Sequence, residues 1–444
     1  MSDSHSIAIR QSVQTSVERP GDGLDRSLWA RTAPAAPALP VLRGSHRAEV
    51  VVVGAGYTGL ATALALIEHG VQVAIVDARE PGFGASGRNG GQVIPVFKHE
   101  PQAIMARFGE EAGRDMIDMV MRSADDVFAL IDKYGIACDA ERTGWIQGAR
   151  NAASGQVLHR RCLAWRKVGA DARPLDADEI AQLSGTTHFR SGWLLGNAGS
   201  VNPLKYARGL ASAAVGRGAS LFVGSPVVRL ESVDGAWRVA TPEGELHARR
   251  VVLATNGYST RLWPGLRESI VPLYSMQIAT DPLPAALGAS ILPRRQTMTD
   301  DRHLVHYFRR DAAGRFVIGA RGPFRPDPSA HDARRLIAMA RRLYPQLDEV
   351  AFPFRWAGRV AMTPDFMPHL HRLAPGLTTA LGFNGRGVAM TAAMGRVLAQ
   401  ACLDDGDRRL PYPVSALRPI PLHRLHRAGV QMMMSYYRLR DRLA

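Results

Sequence analysis

Three glycines, Gly54, Gly56 and Gly59, are spaced G-x-G-x-x-G directly after an apolar run, and an acid, Asp77, stands about 20 residues further on. Each residue type suits one task in holding a dinucleotide. Gly54 permits a tight turn, Gly56 lets a pyrophosphate approach the backbone, and Gly59 lets a helix pack closely on a strand. The Asp77 carboxylate can accept hydrogen bonds from a ribose diol. That chemistry needs a frame to position it. Residues 50–53 read as a buried parallel strand, 58–68 as a helix stopping near Gly70, and 72–76 as a second strand. The helix start offers free N–H groups and a partial positive charge to phosphates. The spacing alone is a weak signal. With strand, helix and acid in place it reads as a dinucleotide site, without saying which dinucleotide.

Two further glycine-rich stretches extend this reading. Residues 81–92 hold five glycines among short polar side chains, a composition that can wrap a ligand and donate many backbone N–H groups. Residues 378–381 read as a short strand, 382–387 as a glycine turn and 388–401 as a long apolar helix. This repeats strand, turn and helix, but no acid follows at the right distance, so it is not a second dinucleotide unit. It would aim a helix start at an anionic or polarised group.

Composition bounds the rest. The chain has 444 residues, 46% hydrophobic and 21% charged, which suits a soluble globular protein with core enough for two or three domains. No apolar run approaches the ~20 residues needed to span a bilayer. The first twenty residues are polar and mixed in charge, unlike a signal or transit peptide. Cys138, Cys162 and Cys402 are scattered, so neither a disulfide framework nor a metal site is expected, and a reducing, cytoplasmic setting is the default. The net charge of +15 is carried by arginine, with lysine only at Lys98, Lys133, Lys167 and Lys205. Such an excess can attract an anionic substrate or a membrane surface. No stretch interleaves aromatics and bases as nucleic-acid binders do, so nucleic acid is not an expected partner.

Along the chain, residues 1–25 read as a flexible leader, 27–32 as the first ordered segment and 33–40 as a Pro/Ala linker. Residues 100–134 have helical spacing, as do 152–169, 176–183 and 204–217; 144–148, 220–223, 227–232, 237–241 and 247–254 read as strands. Residues 267–322 alternate and are rich in Val, Ile, Tyr and Phe, with a hairpin signal at 311–314. They read as an antiparallel sheet inserted into the first domain and covered by a helix over 330–344. The expected division is a leader and linker at 1–47, nucleotide-binding segments at 48–110, 201–266 and 354–405, a helical and substrate-domain segment at 111–200, a substrate domain at 267–353, and a tail at 406–444.

Taken in order, the glycine motif, the string GASGRNGG at 84–91, Val201-Asn202-Pro203, residues 251–257 and the turn 382–387 carry a resemblance. The chain resembles FAD-dependent amine and amino-acid oxidoreductases of the D-amino-acid oxidase/glycine oxidase superfamily, most of all the gamma-glutamylputrescine oxidase branch. The leader segment from Ser27 and the ending around 435–441 fit that branch, and the resemblance covers roughly residues 25–444. It implies an α/β fold: a Rossmann-like FAD-binding domain of the GR2 type with an inserted antiparallel-sheet substrate domain of α+β character. By this resemblance Gly54, Gly56, Tyr57, Thr58 and Gly59 hold the pyrophosphate region, and Asp77 with Ala78 the adenosine ribose. Ser86, Arg88, Asn89, Gly90 and Gln92 line the ribityl chain and ring. Val227 meets the adenine, Thr255 lies near the pyrophosphate, and Gly358, Gly382, Asn384, Gly385 and Gly387 border the flavin. The loop 84–92 lacks the His or Cys that attaches flavin in some relatives, so FAD is expected to be noncovalent. Many relatives carry His where this chain has Arg386, a permanent cation that could favour a carboxylate substrate or the anionic flavin.

The chemistry so implied is hydride transfer from a carbon beside nitrogen to flavin, giving an imine that hydrolyses. It requires no dedicated acid or base, and no catalytic residue is assigned. Substrate-binding candidates are Tyr274, Met276, His306 and Tyr307 on the sheet, Arg321 and Arg359 as a carboxylate clamp, and Arg386. Gamma-glutamylated polyamines, D-amino acids and cyclic secondary amino acids of the pipecolate type all stay open as substrates, and oxygen or a quinone as acceptor. Peripheral membrane contact and oligomeric state stay open too. Two competing readings are an NAD(P)H-dependent flavin reductase, which usually shows a second fingerprint, and a flavin-binding partner subunit without activity of its own.

Overall fold

The structure is a computed structural model that describes residues 24–404 and 409–443. The leader reading falls outside the described residues as far as position 23.

Val50–Val53 is buried throughout. A run of β-branched residues suits a strand covered on both faces, and it lies inside a six-stranded sheet. The order is His369–Ala374, Leu377–Leu381, Arg250–Leu253, Val50–Val53, Val73–Val76, Ser220–Phe222. All neighbours are parallel except the first pair. The connecting helix Tyr57–Glu68 packs against Gly387–Leu403, so the two glycine-turn helices lie side by side on the sheet. Gly395 permits that approach: a Cβ there would come to 2.6 Å from Ala61.

Two expected elements are divided. The helical stretch 100–134 is two helices, Pro101–Phe108 and Glu110–Tyr134, separated at Gly109 with φ +86. The strand expected over 247–254 is two strands, Gly244–Ala248 and Arg250–Leu253, in different sheets. Gly244–Ala248 joins a four-stranded sheet, while Arg250–Leu253 continues in register beside Val50–Val53. The chain changes sheets at Arg249, where the polar half of the stretch meets the apolar run 251–254.

The antiparallel portion is an eight-stranded sheet: Phe354–Met362, Val271–Ala279, Phe316–Arg321, Tyr307–Arg310, Thr297–Asp300, Trp145–Ala149, Ser191–Leu195, Ala172–Leu175. Its hairpin closes at the expected turn, where Gly314 has φ +82 and Asp311 N–H donates to the Arg315 carbonyl at 2.9 Å. The covering helix Ala330–Leu343 starts in a capping box of Ser329 and Asp332 and buries Leu336, Ala340 and Leu343. A parallel pair, Thr297–Asp300 with Trp145–Ala149, joins strands from separate parts of the chain. Phe354–Met362 pairs with Val271–Ala279 along its whole length, so this sheet extends into the segment that the sequence division assigns to the nucleotide part. The architecture is the expected one, an α/β nucleotide-binding domain with an inserted antiparallel sheet.

The tail forms a helix, His426–Leu443. Its Met432, Met433, Tyr436 and Leu439 are exposed, while Asp441 accepts from the His303 backbone N–H at 3.0 Å. Among the described residues no helix is long and apolar enough to cross a membrane, and no group of His, Cys, Asp and Glu could hold a metal ion.

Candidate active site

One cavity of about 1540 Å³ runs from the first glycine turn to the antiparallel sheet. At one end is the start of the helix Tyr57–Glu68, whose N-cap residue, Gly56, has no side chain to cap it. Gly54 has φ +112, a conformation suited to glycine. A Cβ on Gly59 would come to 1.9 Å from the Gly54 carbonyl, so helix and turn can meet only through glycine. Asp77 lines the same cavity and accepts from Ala55 N–H at 2.6 Å and Arg79 N–H at 2.8 Å. Burial raises its carboxyl to about 6, against the opposing pull of those two bonds and of Arg79. Each carboxylate oxygen keeps a lone pair beyond the one bond it accepts here.

The loop 84–92 is held by bonds that are not apparent from its own sequence. Its Arg88 carbonyl accepts from Gln277 Nε2 at 2.5 Å and Trp356 Nε1 at 3.0 Å. The Asn89 carbonyl accepts from Trp29 Nε1 at 2.8 Å, and the Gly90 carbonyl from Arg309 Nε at 2.8 Å. Ser86 Oγ accepts from Tyr57 N–H at 2.9 Å, tying the loop to the nucleotide helix. Arg88, only 1% exposed, donates to the Phe83 carbonyl and stacks on the Phe83 ring, so its guanidinium braces the loop. Asn89 does likewise, donating to Ser86 and Ala85 carbonyls. Gln92 reaches across to the Met298 carbonyl at 3.0 Å.

The sheet face supplies Tyr274, Ser275, Gln277, Thr299 and Tyr307 to the cavity. Tyr307 hydroxyl and Ser275 hydroxyl are 2.8 Å apart, and burial keeps the Tyr307 phenol well above its usual range, hence protonated. Arg359 donates to the Tyr274 hydroxyl at 2.9 Å and lies over the Tyr258 ring. Arg321 donates to the Tyr274 carbonyl at 3.1 Å. At the second glycine turn the helix Gly387–Leu403 also starts without a side-chain cap, next to Asn384, Gly385 and Arg386 in the cavity wall. Val227, Thr255 and Gly358 line the cavity as well, as do Ala78 and Thr58.

Four expected residues do not line it. Gly59 and Gly382 sit behind the wall, where their missing side chains allow close packing; a Cβ on Gly382 would come to 2.3 Å from Thr363. Met276, 2% exposed, points to the opposite face of its strand from Ser275 and Gln277 and packs in the core. His306 turns to Asp300, its Nδ1 lying 2.9 Å from Oδ2. Burial opposes the charge of Asp300, but His306 and Arg302 outweigh it and hold the carboxyl below the usual range. Gln277, Thr299, Arg309 and Trp356 have no mark in the sequence beyond lying in apolar or alternating stretches, whereas Trp29 belongs to the segment from Ser27 that carries part of the resemblance.

The cavity suits a long, polar, partly anionic cofactor. Two helix starts whose N-cap residues make no side-chain cap open on it, and Gln277 Oε1 and Thr299 Oγ1 are buried along it without hydrogen-bond partners. Comparison with known proteins agrees. Residues 49–401 match the family model DAO, FAD dependent oxidoreductase. The chain is 31% identical over 375 residues to a probable oxidoreductase OrdL of Haemophilus influenzae, covering 83% of this chain and 86% of that one. It is 30% identical over 427 residues to gamma-glutamylputrescine oxidoreductase of Escherichia coli, covering 94% and 98%. Its fold matches crystalline glycine oxidase of Geobacillus kaustophilus with a TM-score of 0.72 at 21% identity, over 85% of this chain and 99% of that one. The chain therefore belongs to the DAO family of FAD-dependent oxidoreductases, and FAD is its cofactor.

Proposed function

We propose that this enzyme oxidises the C–N bond of an amine or amino acid, with a gamma-glutamylputrescine-like amine preferred. The observation that carries the reading is the continuity of the cavity. The nucleotide helix, the loop 84–92 and the polar sheet face of Ser275, Gln277 and Tyr307 all line one space. The similarity to gamma-glutamylputrescine oxidoreductase supports the substrate class. FAD, when bound, supplies the hydride acceptor. The chain's part is to hold and orient. Gly54, Gly56 and Thr58 would hold the pyrophosphate and Asp77 the ribose. The protonated Tyr307 would donate a hydrogen bond, and the apolar walls would exclude water from the carbon beside nitrogen. The loop 84–92 offers no His or Cys for a covalent link, and the three cysteines are free and buried, which suits a noncovalent cofactor and a reducing, cytoplasmic setting.

The purified protein is expected to be yellow, to release its flavin on acid precipitation, and to bleach under anaerobic conditions when an amine is added without NADH. Bleaching by NADH alone, with no response to polyamine derivatives or to D- or L-amino acids, would leave a flavin reductase instead.

Asp77 sets a pH dependence. Its folded-state value of about 6 lies above the ordinary ~3.9 of an aspartate. The cofactor-free folded chain therefore holds that proton more tightly than the unfolded chain, and its stability falls as pH rises from about 4 to about 6. FAD binding runs the other way, because the ribose needs the ionised carboxylate. The FAD dissociation constant is expected to fall about tenfold per pH unit up to about 6 and then level. Fluorescence titration should show that slope in the wild type and a flat profile in Asp77→Asn; a flat wild-type profile removes the role.

A further inference from the structure

Part of the cavity wall carries three cations from three separate elements. Lys98 follows the strand Gln92–Val93, Arg161 lies on the helix Ala152–Lys167, and Arg386 precedes the helix Gly387–Leu403. They feel one another. Burial is the main cause that pushes Arg386 down, and Arg161 adds to it; Lys98 is lowered by partial removal from water and then by Arg386 and Arg161. Gathering like charges in a cleft is unfavourable unless an opposite charge joins them.

Among the described residues nothing supplies that opposite charge at ion-pair distance. Arg107, Arg150 and Arg396 each meet an aspartate in an ion pair. Among the described residues, no carboxylate comes within ion-pair distance of Lys98, Arg161 or Arg386; Glu100 acts on Arg161 only from further off. Aromatic faces hold two of them: the Arg386 guanidinium lies 5.4 Å from the Trp145 ring centre and Lys98 Nζ 5.1 Å from that of Phe366. Arg161 donates one bond, to the Phe97 carbonyl at 2.8 Å. The Nε atoms of Arg161 and Arg386 are buried without a partner. The clamp expected on the sheet is already engaged, since Arg359 bonds Tyr274 and Arg321 bonds the Tyr274 carbonyl and Met434 sulfur.

We infer that Lys98, Arg161 and Arg386 form an anion subsite for a carboxylate that the substrate carries away from the C–N bond being oxidised. The inference rests on the amine-oxidising reading above and narrows it to amines with a carboxylate at the far end. A planar carboxylate suits two guanidinium forks and an ammonium, which would satisfy the two buried Nε donors or their neighbouring N–H groups.

The test compares N-glutarylputrescine with its terminal carboxamide, using the second-order rate of anaerobic flavin bleaching of the holoenzyme. The wild type is expected to prefer the carboxylate. Arg161→Gln and Lys98→Gln should each reduce the carboxylate-to-carboxamide ratio about tenfold, and the double variant about 100-fold, whereas Arg161→Lys keeps much of it. Flavin content and spectrum report whether each variant is folded. Glutarate alone, titrated against the flavin spectrum, should bind with a dissociation constant raised by the same factors. A wild-type ratio near one, an equal loss on both amines, or a loss that follows Arg321→Gln instead overturns the subsite. If neither amine bleaches the flavin but glutarate binds and the variants lose it, the amine reading falls and the anion subsite stands. Glutarate binding unchanged in the variants removes the subsite whatever the amines do.

Discussion

Gly59→Val is expected to lower the stability of the cofactor-free protein by about 3 kcal/mol and to abolish measurable FAD binding, the upper end of what overpacking costs. The first added carbon would lie 1.9 Å from the Gly54 carbonyl oxygen, 3.1 Å from Val52 and 3.2 Å from Ala254. The first of these is backbone and cannot swing aside. It belongs to the turn at Gly54, whose φ of +112 already excludes most other conformations. Relief requires the helix Tyr57–Glu68 to move off the sheet, which carries its free N–H groups away from the phosphates. Gly56→Ala makes the contrast. Its Cβ would meet only Ser86 Oγ at 3.0 Å, a side chain that can rotate, and the Gly56 φ of −86 suits alanine. That variant should lose less than about 1 kcal/mol of stability, yet bind FAD more weakly because its methyl group stands in the cavity wall. Denaturation of the cofactor-free forms and FAD titration separate the two effects. A Gly59→Val protein that folds and binds FAD like the wild type would show that close packing is not what this glycine provides.

The same contrast explains what could be read from the sequence. Dinucleotide chemistry is largely backbone chemistry, and glycine at fixed spacing is its local mark, so Gly54, Gly56 and Asp77 were visible with the strands on either side. The second glycine turn was visible for the same reason. The sheet face was not. In an alternating strand, residue type tells that one face is buried but not which face meets the ligand. Met276 is therefore as eligible as Ser275 and Gln277, and only the fold shows that Met276 packs in the core while the other two line the cavity; His306, just before its own strand, turns to Asp300. Arginine carries even less information in a chain so rich in it. Arg88 reads as a ligand contact because of its loop, yet its guanidinium braces that loop on Phe83. Arg309 carries no local mark, being one arginine in a hairpin strand. The split at Arg249 falls at a pair of arginines, which in a chain so rich in arginine does not mark a change of sheet.

Arg309 ties three parts of the chain together. Its side chain, 3% exposed, donates to the Gly90 carbonyl at 2.8 Å, the Val201 carbonyl at 2.8 Å and Ser200 Oγ at 3.2 Å, and it lies over the Trp29 ring. One guanidinium thus joins the hairpin, the cofactor loop and the segment before the helix Pro203–Gly216. Burial lowers its pKa and nearby Asp311 and Glu141 oppose that, so it stays charged. Arg309→Met would keep much of the volume and leave two buried acceptors, Val201 carbonyl and Ser200 Oγ, and the half-buried Gly90 carbonyl without this donor. Leaving a buried acceptor without its charged donor costs about 1–3 kcal/mol each. Lysine has no planar fork and should recover only part of it. The consequence should reach the site, because the Tyr307 ring packs on Gly90 so closely that a Cβ there would come to 2.8 Å from it. A loosened Gly90 frees Tyr307, so FAD affinity and the bleaching rate should fall together in Arg309→Met, with Arg309→Lys between it and the wild type. A loss of stability near zero with unchanged FAD affinity would mean that the loop 84–92 holds its shape through its other bonds, those from Gln277, Trp356 and Trp29 among them.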